Sequence, residues 1–542
     1  MMRAAVRSLR RTRARLRLLR EWRAGAALFV LGALSVLAHA PFFLQPALLV
    51  ALVALVLLLD DARRGPRPIA SGFFRGWAFA AGMFLAGTWW VSNAFLVSAA
   101  DHAWLLWAPL VLMPGGLALF WGAAGAVYVR FSRPGPARIA VFAAAFMTVE
   151  LLRSWVLSGF PWNLPGHVWP AGGAMSQAAA LIGAAGLSAV TLYAFAAPAA
   201  LFGAGARAAR WTPPVAGAVL LAALFGYGGM RLATAPPSAE SGEIVRVVQL
   251  TVPQREKIYD NRSEILERYL ALSAGPGLAD VDAVVWPEGA VPAYILREPD
   301  IIDRLAEVFP VGARLITGAP RAETEGETTR YFNSLLVIDF TQAGPRLSAH
   351  YDKARLVPFG EGNPVRGVTE LFGFQSLSTN SPFYTPGPGP RTLDVEGLPP
   401  FAPLICYEVI YPRYAPRGAE RPEWLLNISN DAWYGNSAGP RQHLNQARYR
   451  AIEEGLPMIR AASSGVSGMI TPYGREGLLM PLDVDEAFDI RLLEDLNETF
   501  YAKYGDLPWA GGAIILLLLV ILPPFLVLRG RASYRSTMKP RV

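Results

Sequence analysis

The chain has 542 residues, about three to four times the ~150 residues of a typical domain, so we expect more than one folded unit. It is 53% hydrophobic and only 17% charged, which excludes a disordered chain and argues against an ordinary soluble enzyme. The net charge of +8 is concentrated at the two ends, with nine arginines in residues 1–23 and five basic residues in 529–542. This pattern is typical of cytoplasmic ends of a membrane protein and not of nucleic-acid binding. A single cysteine, Cys406, excludes an intrachain disulfide and a zinc site built from several cysteines.

Apolar stretches long enough to cross about 30 Å of hydrocarbon predict a polytopic α-helical membrane domain. Seven of them precede residue 235, at 24–40, 44–59, 72–97, 104–129, 138–158, 175–204 and 213–234. An eighth stretch covers 509–528. We therefore predict about eight transmembrane helices, with a different kind of domain inserted between the seventh and the eighth.

The distribution of arginine between the loops predicts the orientation of these spans, because short cytoplasmic loops collect basic residues. With residues 1–23 in the cytoplasm, every second loop should be basic, and these loops contain Arg63, Arg64, Arg67, Arg130, Arg133, Arg138, Arg207 and Arg210. The opposite loops, such as 159–170, contain neither arginine nor lysine. We expect 24–234 to form the membrane domain, 235–505 to form an extracytoplasmic domain, and 529–542 to return to the cytoplasm.

Two features of the membrane region have alternative interpretations. Ala38, His39 and Ala40 resemble the cleavage site of a signal peptide, although cleavage there leaves the orientation of the remaining spans unchanged. Glu150 and Arg153 lie three residues apart on one face of the fifth span. They form either a mutual ion pair, which we favour, or a contact with a lipid headgroup.

After a linker at 235–243, the composition becomes that of a soluble α/β domain. Short runs rich in Val and Ile predict buried strands at 244–250, 282–288, 313–320, 334–340, 403–408 and 424–431. Helical patterns occupy 261–273 and 441–455. Strands alternating with helices favour a layered α/β architecture, in which chemistry gathers where strands end.

Three residues at such strand ends are candidates for catalysis: Glu288, Lys353 and Cys406. Each has an ordinary alternative, as a surface carboxylate, a solvated surface lysine and a small core residue respectively. Lysine is rare in this chain, with four lysines against 46 arginines, so a generic cation at 353 would be expected to be arginine. A compact ammonium can instead be desolvated beside an oxyanion.

The three residue types complement one another chemically. A free thiol with a pKa of about 8.5 is mostly protonated at neutral pH, so a nucleophilic cysteine needs a base or a nearby cation. Glu288 can take the proton from Cys406, and Lys353 can stabilise the negative charge of a tetrahedral intermediate. The competing mechanism pairs Cys406 with His443 or His350, although nothing around either histidine suggests it.

The sequence around these residues resembles the nitrilase, or carbon–nitrogen hydrolase, superfamily, whose signature is a Glu, Lys and Cys triad in that order. Over its whole length, the chain resembles the apolipoprotein N-acyltransferase family of that superfamily. The motifs that carry the resemblance are GFPW at 159–162, VPQ at 252–254, WPE at 286–288, YDKARLVPFGE at 351–361, ICYE at 405–408, NISNDAWYG at 427–435 and QH, AR and RAIE within 442–453.

The resemblance implies an αββα sandwich and a role for each matching residue. Glu288 would be the general base, Lys353 the oxyanion stabiliser and Cys406 the nucleophile. Glu361, Tyr407 and Glu408 would support them. The implied reaction is ping-pong acyl transfer without a cofactor or metal.

The same resemblance implies the substrates and the cellular location. The acyl donor would be a phospholipid, typically phosphatidylethanolamine, whose sn-1 acyl chain passes to Cys406. The acceptor would be the α-amino group of the N-terminal S-diacylglyceryl-cysteine of an apolipoprotein. A bacterial inner-membrane protein with its catalytic domain facing the periplasm is implied. Because both substrates are anchored in lipid, such a site avoids extracting acyl chains into water, which costs about 0.8 kcal/mol per CH₂.

Aromatic residues near these motifs are candidates for substrate binding: Trp286, Phe359, Phe372, Phe374 and Trp433. The long Gly/Pro/Ser-rich stretch 362–389 is either a lid that carries aromatic residues toward lipid or an ordinary packed loop. The chain departs from the family pattern at Gly362 and Asn363, at Ile258 or Tyr259 where a tryptophan is usual, and at Ser463 and Ser464 where asparagine is usual. These departures concern the substrate pocket and not the triad.

Two other functions predict different features of the sequence. A membrane-anchored amidase of the nitrilase type would use the same triad, with water in place of the amine, but a soluble amide substrate would need no membrane anchor. A transporter with a regulatory outer domain would place ionisable residues along its spans, and the spans contain few beyond Glu150 and Arg153.

Overall fold

The computed structural model describes residues 20–203, 206–236, 239–362 and 383–512. Up to residue 236, the described chain is helical. The longer helices are α1 (Arg20–Ala38), α2 (Gln45–Ala62), α3 (Pro68–Thr88), α4 (Met113–Phe131), α5 (Arg138–Arg153), α6 (Ala179–Ala196) and α7 (Arg207–Ala233). Short helical turns connect them, including Asn93–Leu96 and Ala99–His102.

Six helical stretches in this part are long and apolar enough to cross a membrane. They are Arg20–Ala38, Gln45–Ala62, Pro68–Leu96, Ala103–Phe131, Met175–Phe202 and Arg207–Ala233, and they match six of the seven spans predicted there. The remaining predicted span, 138–158, contains the 16-residue helix α5, which ends at Arg153. Most of the predicted eighth span lies outside the described residues, so the count of eight stays a prediction.

Small residues allow helices α3 and α4 to pack closely. A Cβ atom at Gly76 would lie 2.3 Å from the carbonyl oxygen of Trp121, and one at Gly125 would lie 2.3 Å from the carbonyl oxygen of Gly72. Glycine at both positions therefore lets the two backbones touch, which is how helices commonly associate in membranes.

The ion pair predicted within the fifth span is confirmed. Arg153 Nη2 donates to Glu150 Oε2, and each side chain is 1% exposed. Trp121 Nε1 also donates to Glu150. Both charges are therefore satisfied inside the protein, and the alternative contact with a lipid headgroup is wrong.

Residues 239–362 and 383–512 form a sandwich of two six-stranded sheets. The strands are β1 (Glu240–Gln249), β2 (Ala283–Val285), β3 (Arg314–Glu325), β4 (Thr328–Thr341), β5 (Gly344–Asp352), β6 (Leu393–Val395), β7 (Leu398–Ile405), β8 (Trp424–Asn430), β9 (Met458–Ser463), β10 (Ser467–Ile470), β11 (Glu476–Met480) and β12 (Glu486–Leu493). The first sheet has the order β12-β1-β2-β3-β4-β5 and the second the order β11-β10-β9-β8-β7-β6. Strands β1, β2 and β3 are parallel, as are β7, β8 and β9.

Alternating side chains build three apolar layers around these sheets. On β1, Val245 and Val247 face the second sheet, while Val248 packs on the other side against α8 (Arg262–Ser273) and α9 (Pro299–Val308). Helix α10 (Gly439–Glu454) covers the outer face of the second sheet, and α11 (Phe500–Tyr504) follows near the end of the described chain. The order of layers is that of the predicted αββα sandwich.

The six predicted strand runs overlap β1, β2, β3, β4, β7 and β8, and the two helical patterns overlap α8 and α10. Strands β5, β6, β9, β10, β11 and β12 were not predicted. Strands β5, β11 and β12 have many exposed or half-exposed residues, β6 and β10 are only three and four residues long, and β9 is buried but contains one Ile and no Val. Five of the missed strands lie at or next to a sheet edge, whereas β9 belongs to the parallel centre of the second sheet.

Candidate active site

Glu288, Lys353 and Cys406 follow strands that end at the same edge of the sandwich. Strand β2 ends three residues before Glu288, β5 ends immediately before Lys353, and β7 ends immediately before Cys406. Two antiparallel steps from β3 through β4 give β5 the direction of β3 and β2. The first sheet therefore supplies Glu288 and Lys353, and the second sheet supplies Cys406.

Lys353 lies between two carboxylates and is 1% exposed. Its Nζ donates to Glu288 Oε1 at 3.0 Å and to Glu361 Oε1 at 2.8 Å. Burial alone would lower the pKa of Lys353, but the two carboxylates raise it well above its usual value. The side chain therefore remains a cation, held at a fixed position beside Glu288.

Glu288 is kept ionised by the groups around it. Burial alone would raise the pKa of its carboxyl, but the Lys353 ammonium and a hydrogen bond from Asn333 bring that pKa below its usual value. Asn333 Nδ2 donates to Glu288 Oε1 at 2.8 Å and to Glu361 Oε1 at 2.7 Å, and the backbone N–H of Asn430 donates to Glu288 Oε2 at 2.9 Å. Glu288 is 7% exposed, so it is a buried carboxylate with its oxygens already oriented.

Asn333 and Asn430 also contact Glu288, although neither was predicted as a site residue from the sequence. Asn430 belongs to the NISND motif at 427–431, so its place in the motif was a usable signal. Asn333 lies within the polar start of β4, and no local pattern marks it.

Cys406 begins a helical turn, Cys406–Ile410, directly after β7. Its backbone φ is +49°, in the left-handed region that a residue with a side chain adopts only at a cost. This conformation places the thiol where the strand turns, with 6% of the residue exposed. Burial and the Glu288 carboxylate raise the pKa of the thiol to about 12, against a lowering effect of Lys353. The resting sulfur is therefore protonated, and a nucleophilic attack by this sulfur would require removal of its proton.

Tyr434 brings a hydroxyl group to the sulfur atom. Its hydroxyl oxygen lies 4.0 Å from Cys406 Sγ. Burial and the neighbouring thiol raise the pKa of Tyr434 well above its usual value, so the phenol stays neutral and able to donate. Trp90 packs edge-on against the Tyr434 ring, and Asn93 Nδ2 donates to the Tyr434 carbonyl oxygen at 2.7 Å. Two residues of the helical region thus hold this side chain in place.

Glu361 and Glu408 both support the site. Glu361 Oε1 accepts from Lys353, and Glu361 Oε2 accepts from the backbone N–H of Val357 at 2.8 Å, which fixes the loop after β5. Glu408 is fully buried and accepts hydrogen bonds both from the end of β7 and from the loop after β5. Its donors are the backbone N–H groups of Ile405, Ala354 and Arg355 and the hydroxyls of Tyr351 and Tyr414.

The histidines are not placed to act as the base. His443 Nε2 lies 3.2 Å from the backbone carbonyl oxygen of Cys406, and His443 Nδ1 lies 3.1 Å from Asp431. The ring therefore faces the backbone of Cys406 and belongs to a buried cluster with Asp431 and Arg460. His350 is half-exposed on β5, beside Asp352. The geometry favours Glu288 over the papain-like arrangement.

Loops of the helical region form one wall of the site. The Tyr407 hydroxyl donates to the carbonyl oxygen of Gly159 at 2.8 Å, in the GFPW motif. Gly159 has a φ of +84°, and a Cβ atom there would lie 2.0 Å from the carbonyl oxygen of Ser154, so the turn requires glycine. Gln442 Oε1 accepts from Trp162 Nε1 at 2.8 Å and from Trp90 Nε1 at 3.3 Å. Tyr407, which follows Cys406, and Gln442 in α10 are therefore hydrogen-bonded to the helical region.

The candidate substrate-binding residues have different environments. Trp286 is 0% exposed, packs against Tyr269 and donates to Ser273, on the outer side of the first sheet. It is therefore a core residue, and the expectation that it contacts substrate is corrected. Phe359 is 37% exposed and Trp433 is half-buried.

Phe372 and Phe374 lie outside the described residues, as does most of the stretch 362–389 that we interpreted as a lid or a packed loop. Its last residues are described and return to the site. The N–H of Tyr384 donates to the carbonyl oxygen of Glu361 at 2.9 Å, and the N–H of Gly387 donates to the carbonyl oxygen of Lys353 at 3.0 Å.

Comparisons with known proteins agree with this architecture. Residues 31–197 match the family model described as apolipoprotein N-acyltransferase N-terminal domain, and residues 244–476 match the one described as carbon–nitrogen hydrolase. The apolipoprotein N-acyltransferase of Rhodopseudomonas palustris is 38% identical over 513 residues, covering 92% of this chain and 95% of that protein. The chain belongs to the apolipoprotein N-acyltransferase family.

Other members of the family are similar over comparable lengths. The apolipoprotein N-acyltransferase of Caulobacter vibrioides is 40% identical over 512 residues, covering 92% of this chain and 94% of that protein. The apolipoprotein N-acyltransferase of Bradyrhizobium diazoefficiens is 36% identical over 526 residues, covering 95% of this chain and 96% of that protein. Because the similarity extends over 92% of the chain and the described residues include six membrane-capable stretches, the chain is a membrane-bound acyltransferase of this family.

Proposed function

We propose that this protein transfers an acyl chain from a phospholipid, typically phosphatidylethanolamine, to the α-amino group of the N-terminal S-diacylglyceryl-cysteine of apolipoproteins. Glu288, Lys353 and Cys406 form the catalytic triad, with Glu361, Tyr407 and Glu408 in support. The observation that carries the proposal is the position of Lys353, held by Glu288 and Glu361 at the strand edge where Cys406 also lies.

In the first half-reaction, Glu288 takes the proton from Cys406 as the sulfur attacks the sn-1 ester carbonyl. The ammonium of Lys353 stabilises the negative charge on the oxygen of the tetrahedral intermediate. The bond from the carbonyl carbon to the glycerol oxygen then breaks, and Glu288 returns its proton to that oxygen. A lysophospholipid leaves, and the acyl chain remains on Cys406 as a thioester.

In the second half-reaction, the α-amino group of the apolipoprotein attacks the thioester carbonyl. An α-amino group with a pKa of about 8 is partly protonated at neutral pH, so only its neutral fraction is nucleophilic. Glu288 takes a proton from the attacking nitrogen, and the carbon–sulfur bond breaks. The sulfur recovers its proton from Glu288, and an amide is released.

The membrane arrangement is part of the proposal. Residues 24–234 form the membrane domain with seven spans, 235–505 form the catalytic domain on the periplasmic side, and 509–528 form the eighth span. The segments 1–23 and 529–542 lie in the cytoplasm, and the membrane is the bacterial inner membrane. Six membrane-capable helices and the arginine distribution between loops support this topology.

The experiment is intact-protein mass spectrometry of the purified protein after incubation with phosphatidylethanolamine, with Cys406→Ala as the control. The proposal expects the mass of one acyl chain on the wild type alone, removable by hydroxylamine. Adding a diacylglyceryl peptide with a free N-terminus should then discharge the adduct as an amide. A folded wild-type protein that acquires no adduct in the presence of lipid would contradict the proposal and favour the amidase.

A further inference from the structure

Lysine is rare in this chain, yet two of its four lysines approach Glu288. Lys353 is the one already described, and Lys257 is the other. Lys257 lies in the loop after β1, just past the VPQ motif at 252–254. In a chain with 46 arginines, a second lysine beside the same carboxylate indicates a requirement for a compact ammonium.

The ammonium of Lys257 contacts groups that hold Glu288 from two directions. Its Nζ donates to Asn430 Oδ1 at 3.2 Å, and the backbone N–H of that asparagine donates to Glu288 Oε2 at 2.9 Å. It also reaches the carbonyl oxygen of Gly289, the residue after Glu288, at 3.5 Å. Its shortest contact is with Ser463 Oγ, at 2.8 Å. The residue is partly exposed as a whole, but Ser463 and Asn430 are buried, so the charged end of the side chain lies inside the protein.

A purely structural lysine would be poorly suited to this position. In the described part of the chain, the hydrogen-bond partners of Lys257 Nζ are three neutral oxygen atoms, with no carboxylate among them. Burying an ammonium against neutral groups is unfavourable, and burial lowers the pKa of Lys257 to about 7. The nearby Glu288 carboxylate opposes this lowering, and the cation in turn favours the ionised form of Glu288.

We propose that Lys257 is a positioning residue for Glu288, which orients the base through Asn430 and Gly289 and helps to keep it ionised. This inference rests on the proposed function, because it assumes that Glu288 is the base. It also gives a role to Ser463, one of the departures from the family pattern, as the acceptor that anchors Lys257.

Several charged groups besides Lys257 influence Glu288, and any pH effect has to be separated from theirs. Lys353 lies on the opposite side, Glu361 shares Lys353 with Glu288, and the Cys406 thiol is adjacent. Asp431 raises the pKa of the Cys406 thiol. None of these groups changes in a Lys257 variant, so a difference from the wild type reports the loss of Lys257.

The test measures the rate of acyl-enzyme formation from phosphatidylethanolamine between pH 4 and pH 8, in Lys257→Met and in the wild type. We expect the variant to be about tenfold slower at pH 7, because a base that has lost its orientation and a neighbouring cation is less effective. We also expect the acidic limb of its pH profile to lie at higher pH, because the neutral methionine no longer favours ionised Glu288. Lys503→Met removes an exposed lysine far along the chain, in α11, and should match the wild type.

Ser463→Ala keeps Lys257 but removes its shortest contact, and should produce a smaller shift in the same direction. The double variant should be no slower than Lys257→Met alone, because both changes act through one contact. If Lys257→Met does not fold, the pH profile of Ser463→Ala is the test, and a profile identical to that of the wild type would overturn the inference. A wild-type pH profile in Lys257→Met, or an equal slowing at every pH, would overturn the inference.

The failure of this inference can be distinguished from the failure of the proposed function. If the wild type forms no acyl-enzyme, the proposed function fails. In that case, the rate at which iodoacetamide alkylates Cys406 replaces acylation, since it requires no phospholipid. The inference still expects the alkylation profile of Lys257→Met to shift to higher pH, and an unchanged profile overturns it.

Discussion

Glu408 joins the turn that begins at Cys406 to the loop that follows Lys353. Its Oε2 accepts from the N–H of Ile405 at 2.9 Å, and its Oε1 accepts from the N–H of Ala354 at 2.8 Å. Glu288 and Lys353 come from the first sheet and Cys406 from the second, so their relative position depends on contacts of this kind.

Replacing Glu408 with glutamine should therefore loosen the site without removing any proposed catalytic group. The side-chain amide nitrogen of glutamine donates hydrogen bonds and cannot accept them. In this variant it would face either backbone N–H groups or the Tyr414 hydroxyl, which now donate to the carboxylate. We expect a loss of about 2 kcal/mol in the free energy of unfolding and slower acyl-enzyme formation. Thermal unfolding in detergent and mass spectrometry measure the two effects. Tyr414→Phe removes one donor and leaves the carboxylate, so it should be milder; an equal effect in both variants would argue against this role.

Removing the cation at 353 should affect both stability and chemistry. Lys353→Met leaves Glu288 and Glu361 as buried, unbalanced carboxylates, and we expect about 3 kcal/mol of destabilisation together with loss of acylation. Lys353→Arg keeps the positive charge, so this variant should be more stable than Lys353→Met. Because the guanidinium group is larger than an ammonium and planar, the variant should still fail to form the acyl-enzyme. Full activity of Lys353→Arg would remove the ammonium from the mechanism.

The ionised state of Glu288 predicts the dependence of acylation on pH. Because Lys353 and Asn333 bring the folded pKa of Glu288 below its usual value of 4.5, the base is already available at pH 4.5. Acyl-enzyme formation should lose this base only as the pH falls through the lower folded pKa, and the stabilising contact with Lys353 should be lost over the same interval. Single-turnover acylation measured from pH 3.5 to pH 7 tests whether the pKa of Glu288 is lowered in the folded protein. An acidic limb that starts well above pH 4.5 would contradict it.

Tyr434→Phe isolates the hydroxyl group near Cys406 Sγ. The ring contacts with Trp90 and Trp162 should persist, so stability should change little. Loss of a weak donor to a developing thiolate should slow alkylation of Cys406 by iodoacetamide by about threefold. Asn93→Ala, which frees the Tyr434 carbonyl oxygen but keeps the hydroxyl, should retain most of the wild-type rate. Identical alkylation rates in Tyr434→Phe and the wild type would show that the hydroxyl does not act on the sulfur.

Gln442 offers a test of the coupling between the helical region and the sandwich. Gln442→Leu removes the acceptor of both Trp90 and Trp162 and should lower the free energy of unfolding by about 1–2 kcal/mol and slow acylation. Gln446 provides a matched control, because it lies one helical turn later and its amide has no hydrogen-bond partner within the described chain. Gln446→Leu should be neutral or stabilising. Equal losses in the two variants would mean that burial of leucine, and not the tryptophan contacts, causes the effect.

The sequence alone determined the class of the protein, most of its apolar helices and the three residues of the proposed triad. These features depend on local patterns. A membrane helix is an apolar run, and a buried parallel strand is a short run of Val and Ile whose end marks a site. The unusual use of lysine at 353 was also visible without a structure.

Only the tertiary structure decided the features that depend on which segments meet. Asn333, Lys257 and Asn430 come from three separate parts of the chain. A motif marks Asn430, but no local pattern shows that the three residues meet around Glu288. The side-chain alternation after β2 carries Trp286, like Val284, to the outer core and away from the site, although its motif adjoins Glu288. Sequence spacing specifies the order of residues along one segment, whereas the geometry of the site depends on how two sheets and the loops of a helical region pack against one another.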